Sequence, residues 1–358
     1  MFCIAAFIVL AIISIFSASH RKLAKKAWNC TLRRVTFRPC DTSFKEEAKS
    51  KLLSRVANKT PKLVKTADIG IEIASFALVI FTIWSLLVVM ESGLNLFVWG
   101  TCNPNNASSC SLTAETCSID KTQKSFWELT SEGKPFDWFV NQAETLGNTI
   151  ANIPTRLQSW NANDYLPQNV TYYYAKDSAK PVALEIIDPG CRVCMQLFGN
   201  IKSAKFEDKY NLAYIAYPIK NSYEEGKYKF PNSYTVTRYL EALKINPLGG
   251  QKVSTDWQIL EKIFTGEDSK GVAYQVKINT QLNQTQTEEL IRGWLSDIGY
   301  SPDQIKQIDT DAGSQKVADV IKQNQQIVNN RVKTVKIPTI IFNGQRHDGL
   351  VRASDLHP

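Results

Sequence analysis

The sequence predicts an α/β domain that is interrupted by a large helical insertion and preceded by two transmembrane helices. Three observations predict it. Two long apolar runs are confined to the chain before Gly100. A buried-strand run, Val182-Ala183-Leu184-Glu185-Ile186-Ile187, empties into Cys191-Arg192-Val193-Cys194. A second strand signal, Lys336-Ile337-Pro338-Thr339-Ile340-Ile341-Phe342-Asn343-Gly344, follows far downstream.

The membrane elements come first along the chain. Phe2 to Ala18 is nearly continuous apolar sequence, and Ile69 to Met90 is a second run, continuing through Gly93–Trp99. Each reaches or approaches the roughly 17–25 residues that cross a bilayer. A third such run is absent, so the chain after Gly100 is expected in water. Residues 18–68 carry 14 of the 42 Lys and Arg and only four acids, whereas from residue 101 onward 28 basic residues meet 28 acidic ones. The positive-inside rule then places loop 19–68 in the cytoplasm and the C-terminal part outside. Nucleic-acid binding is not needed to explain this charge, because the flanking spans explain it. The basic cluster follows the first run instead of preceding it, which favours an anchor over a cleaved signal. The abrupt apolar start leads us to expect further sequence ahead of Met1.

The eight cysteines divide by expected compartment. Cys3 lies in the first span as a small apolar packing residue. Cys30 and Cys40 fall in the basic loop without metal-ligand spacing and are read as free thiols. Cys102, Cys110 and Cys117 follow the second span among polar residues. In an oxidising compartment two of them are expected to form a structural disulfide. The third is left to pair with another chain or to act as a local redox partner for Cys191 and Cys194.

Residues 101–170 read as an extracytoplasmic linker with a short amphipathic helix over Phe136 to Ile150. From Thr171 the pattern changes. Thr171–Ala175 reads as a strand, Val182–Asp188 as a buried strand, Cys191–Phe206 as a helix and Leu212–Ile219 as a third strand. Residues 231–330 are helical in character. Amphipathic stretches cover Tyr234–Ile245, Asp256–Phe264, Thr287–Leu295 and Lys316–Val328, with starts at Ser254-Thr255-Asp256 and Ser301-Pro302-Asp303. Ile340–Phe342 returns to strand, and Asn343-Gly344 signals a tight hairpin. A last helix is expected from Ser354.

Cys-x-x-Cys at a helix start suits thiol–disulfide exchange. The helix N-terminus favours the Cys191 thiolate, and Cys194 sits one turn on, ready to close a disulfide. No second cysteine pair or His cluster follows, so a zinc site is disfavoured. Glu185 interrupts an apolar strand six positions before Cys191, and a buried carboxylate is costly unless it is paired or used. His347 reads as a solvated loop residue.

Through Cys191, Cys194, Glu185 and Ile337-Pro338-Thr339, residues 171–358 resemble a thioredoxin-like domain of the DsbA-like type. The resemblance covers about half of the chain. It implies that Glu185 relays protons to and from Cys194. It also implies that the Ile337–Pro338 bond is cis and abuts the cysteines, and that Ile337 pairs with an extended substrate. Pro338, Arg192 and Val193 join Ile337 as substrate-binding candidates. The Arg192-Val193 dipeptide is neither Gly-Pro nor Pro-His, and the insertion is long, so electron direction and groove shape stay open.

The resulting expectation is a two-pass cell-envelope membrane protein whose outer domain, 171–358, forms or exchanges disulfides in cysteine-containing secreted or surface proteins. Membrane lipid and a membrane redox partner are the other expected partners; no nucleic acid, no metal and no organic cofactor are expected. The alternatives are a reductase or isomerase supplied with electrons through the membrane, and a non-catalytic binding, assembly or metal-holding module.

Overall fold

Two units make up the chain, 1–91 and 92–358, and the computed structural model describes residues 29, 64–106, 116–119 and 123–356. The first predicted span, Cys3, Cys30, Cys40 and Cys110 lie outside the described residues. Helix α1, Val64–Trp99, has 36 residues. At about 1.5 Å per residue it outruns the hydrocarbon thickness of a bilayer. It is the one helix among the described residues long and apolar enough to cross a membrane. Ile80, Phe81, Leu86, Leu87 and Val89 are half exposed or more, which suits lipid and not water. The helix starts at Val64, inside the stretch read as basic loop.

The last turns of α1 belong to the second unit and end in a buried polar network. Trp99 Nε1 donates to Thr149 Oγ1 at 3.0 Å, Thr149 donates to Asn95 Oδ1 at 2.6 Å, and Asn95 donates to the Cys102 carbonyl at 3.1 Å. Thr149 lies on α3, Pro135–Ala151, which follows the short α2, Phe126–Ser131. Helix α4, Ile153–Leu157, then leads toward the sheet.

The core sheet has four strands in the order β3-β2-β5-β6. Strand β2, Val182–Ile187, runs parallel to β3, Asn211–Ala216, with Val182 opposite Asn211 and Ile187 opposite Ala216. On its other side β2 pairs antiparallel with β5, Thr339–Phe342, which turns into β6, Gln345–Asp348. Asn343 and Gly344 both take positive φ, 47° and 75°, the turn that matches strand twist. Strand β3 is buried along its whole length, as expected of a strand covered on both faces. A separate two-stranded ribbon pairs β1, Cys117–Ser118, with β4, Lys336–Ile337.

Helix α5, Arg192–Ser203, crosses from β2 to β3. The insertion follows β3 as α6 Ser233–Ile245, α7 Thr255–Thr265, α8 Tyr274–Thr280, α9 Gln284–Ile298, α10 Pro302–Ala312 and α11 Gln315–Gln326. Trp257 on α7 welds insertion to sheet. It is fully buried, with Tyr214 of β3 at 4.6 Å and Phe198 of α5 at 6.3 Å between ring centroids. Truncating so large a core side chain costs about 3–5 kcal/mol.

Four local expectations are corrected. Residues 171–175 form no continuous strand. The Tyr173 N–H bonds to Leu212 O, while its carbonyl accepts from Ser254 N, so its two hydrogen bonds go to different elements. Strand β3 ends at Ala216, two residues before Pro218, which has no N–H to extend a ladder. Among the described residues a short 3₁₀ turn, Ala353–Asp355, stands where the last helix is expected to begin. His347 is not a solvated loop residue. It lies on β6, half-buried, and stacks on Phe342 at 4.7 Å because the tight Asn343-Gly344 turn carries the ladder on to Asp348.

Candidate active site

The site is built where β2 ends. Asp188-Pro189-Gly190 turns the chain, and Cys191 takes the N-cap position of α5 in extended backbone conformation (φ −82°, ψ 120°). Asp188 organises this turn. Its Oδ1 accepts from Gly190 N at 2.7 Å and from the Ser233 hydroxyl, and its Oδ2 accepts from Ile219 N at 2.8 Å. Its own N–H points at Cys194 Sγ, 3.4 Å away. Burial raises the Asp188 carboxyl to about 6, against the pull of these three donors and of Lys229. Gly190 has no room for a side chain: an added Cβ would sit against Phe230.

Cys191 is fully buried because a second segment covers it. It is disulfide-bonded to Cys117, with the two Cα atoms 6.3 Å apart. Cys117 is also paired across the ribbon with Ile337, and the Ile337–Pro338 peptide is cis. One short strand therefore reaches both the Cys191 sulfur and the backbone just ahead of Pro338. Ser118 pairs with Lys336, the Ile119 N–H donates to Val335 O at 2.9 Å, and Lys229 Nζ donates to Ser118 O at 3.1 Å. Lys336 is buried and donates to Gly100 O at 2.5 Å, and burial lowers its pKa.

Cys117 is thus joined to Cys191, the place expected for the linker cysteine left over from a structural disulfide. The reason is nonlocal pairing: its strand adds to β4, and this brings its sulfur to Cys191. Cys102 is itself disulfide-bonded. Cys191 and Cys194 are not joined to each other. Cys194 is a free, fully buried thiol, one turn into α5.

The Cys194 thiol is pushed well above its ordinary range, chiefly by burial, and further by the negative charges of Asp188 and Glu185. Glu185 sits on the central strand between Tyr214 and Ile340, only 1% exposed, and its Oε1 has no hydrogen-bond partner. Burial, then repulsion from Glu207, raises its carboxyl to about 8. It is mostly protonated at neutral pH and able to give a proton. Of the remaining candidates, Arg192 is exposed at the helix start, Val193 is half-buried and Pro338 is buried. Among the described residues no cluster of His, Cys, Asp and Glu is arranged to hold a metal.

Asp188 was not singled out from the sequence. The available signal was an acidic residue closing an apolar strand just ahead of Pro-Gly.

No protein-family model matches the chain, and no curated protein matches it. Several solved structures are similar. The thiol-disulfide exchange protein alpha-DsbA2 from Wolbachia pipientis is 14% identical, over 51% of this chain and 82% of that one, with a TM-score of 0.36. MdbA, a thiol-disulfide oxidoreductase from Corynebacterium diphtheriae, is 11% identical over 53% and 87%, with a TM-score of 0.37. Proteus mirabilis ScsC in a transitional conformation is 14% identical over 65% and 95%, with a TM-score of 0.35. Likeness at this level carries no argument about chemistry, which rests on the geometry above.

Proposed function

We propose that this chain is a membrane-anchored thiol–disulfide oxidoreductase whose thioredoxin-like domain, 171–358, acts outside the cell membrane on cysteine-containing proteins. One observation carries the reading. Cys191, at a helix N-cap, holds a disulfide to an extended segment while the Cys194 thiol waits buried one turn on. That is the arrangement of a mixed disulfide with its resolving thiol. The excess of basic residues before α1 supports an outer location. So does the disulfide-bonded state of Cys102, Cys117 and Cys191, since disulfides persist in oxidising compartments.

The chemistry follows from the residues. With Cys191 and Cys194 joined, a substrate thiolate attacks Cys191 Sγ. The Cys191–Cys194 bond breaks, and Cys194 leaves as a thiolate that takes a proton from Glu185. A second substrate thiolate then attacks the substrate sulfur of the mixed disulfide and releases Cys191. The substrate loses two electrons, and the enzyme gains them. The Cys191 thiolate is favoured by the unpaired amides at the start of α5. Lys336-Ile337 offers the edge along which an extended substrate pairs, and Arg192 and Val193 border it. A membrane redox partner would reoxidise the pair.

The test is the reduction potential of Cys191–Cys194 in the purified full-length protein, with oxidation of a dithiol peptide as the activity. We expect a Cys191–Cys194 disulfide to form, and Cys191→Ser to abolish peptide oxidation. A potential near about −120 mV marks a disulfide donor, and one near about −270 mV marks a reductase. Failure to form that disulfide at any glutathione poise would overturn the reading.

A further inference from the structure

Cys117 is where any incoming cysteine must be. Its sulfur occupies the only bond that Cys191 can make to an outside thiol, and its strand occupies the free edge of β4. Among the described residues, a short ribbon holds that strand besides the disulfide. Two residue pairs, Cys117 with Ile337 and Ser118 with Lys336, make the ribbon. The Ile119 N–H and Lys229 add the bonds to Val335 O and to Ser118 O and Oγ, the last at 3.2 Å. A two-stranded ribbon of this length has little stability of its own.

A purely structural disulfide would need no thiol beside it. Here a free thiol, Cys194, lies one turn along α5 from the bonded sulfur, with its Sγ facing the Asp188 N–H. Thiol–disulfide exchange needs such a thiol within reach of the bond, and Cys194 is one helical turn from it.

We propose that Cys117 is a third redox thiol, carried on a strand that plugs the site's own substrate edge, and that the Cys117–Cys191 disulfide is a closed state released by Cys194. The proposal rests on the oxidoreductase reading and adds a built-in gate to it. In the release step the Cys194 thiolate attacks Cys191 Sγ. The Cys191–Cys194 bond forms and the Cys117–Cys191 bond breaks. Cys117 leaves as a thiolate and takes up the proton that Cys194 gave up. One disulfide replaces another, so no outside oxidant or reductant is consumed. Release of residues 117–119 uncovers Cys191 and frees the backbone of Lys336 and Ile337 for an extended, cysteine-containing segment of another protein. Re-docking, with attack of Cys117 on the Cys191–Cys194 bond, closes the site again.

The test uses the full-length protein as wild type, Cys194→Ser and Cys117→Ser. Each is equilibrated in glutathione buffers, quenched in acid and alkylated, and its disulfides are mapped by mass spectrometry. Wild type should hold both linkages. Their ratio should stay constant as the glutathione poise changes, because the exchange between them moves no net electrons. Cys194→Ser should hold Cys117–Cys191 alone. Cys117→Ser should hold Cys191–Cys194 alone and oxidise a dithiol peptide at least about tenfold faster. Absence of the Cys117–Cys191 linkage from both wild type and Cys194→Ser overturns the gate. If Cys191–Cys194 still forms and the peptide is oxidised equally well without Cys117, the oxidoreductase reading stands and the gate alone falls. If Cys191–Cys194 forms in neither wild type nor Cys117→Ser, Cys117–Cys191 is an inert structural bond and both fall.

Discussion

Two buried glutamates, one at the centre of the sheet and one in the helical insertion, meet the same solvation problem in opposite ways. Glu241 on α6 is fully buried and ion-paired to Lys244 Nζ at 2.7 Å, with Asn324 donating to the same oxygen at 3.3 Å. Lys244 lies 4.1 Å from the Tyr214 ring centroid, and the Tyr214 hydroxyl donates to Asp256. Glu185 on β2 is equally buried, has no ion pair among the described residues, and faces a second acid, Glu207. Burial raises both carboxyls, but at Glu241 the Lys244 charge opposes the rise. The paired carboxylate holds structure together. The unpaired one is kept protonated, and its charge, once formed, acts on the Cys194 thiol.

The largest test of that contrast removes the cation. Lys244→Ala strands Glu241 in the interior and should cost about 3–5 kcal/mol in chemical denaturation. Exchange activity per folded molecule should be retained, and a loss below about 0.5 kcal/mol would show that Glu241 needs no partner. Next, Glu185→Gln should leave the fold intact but slow breakage of the Cys191–Cys194 bond about 10²-fold in stopped-flow exchange, the lower range for losing a general acid. An unchanged rate would remove Glu185 from the proton path.

The same carboxyl also sets a pH slope. A carboxyl raised from 4.5 to about 8 holds its proton more tightly folded than unfolded. Its contribution is full below pH 4.5 and is lost as pH rises through about 8. Wild-type stability measured against Glu185→Gln should therefore fall by about 1 kcal/mol per pH unit across that window and level off above it. A flat difference would mean that Glu185 reaches a partner or solvent.

Much of this site was legible along the chain. Cys-x-x-Cys after an apolar run fixes a helix start by local rules, and α5 begins at Arg192. Asn343-Gly344 specifies its own turn. Ser301 caps α10 reciprocally with Gln304, within four residues. Glu185 stood out as a lone acid in an apolar strand, although its repulsion from Glu207 is a contact between elements. Asp188 was passed over because its role lies in its acceptors. Two of the three groups that donate to it, Ile219 and Ser233, come from 31 and 45 residues downstream.

By itself the sequence determined where α5 begins, where the long apolar helix lies, and which two cysteines sit a helical turn apart. These depend on neighbours within a few residues, and backbone sterics and side-chain period decide them. Only the tertiary structure decided which of the linker cysteines reaches Cys191. That bond spans 74 residues and needs β1 to add to β4, a pairing between segments more than 200 residues apart. It likewise decided that Lys336 is buried against Gly100 and that His347 stacks on Phe342. Such contacts are set by the closing of long loops around a shared core, and no local pattern encodes which partner a side chain will meet.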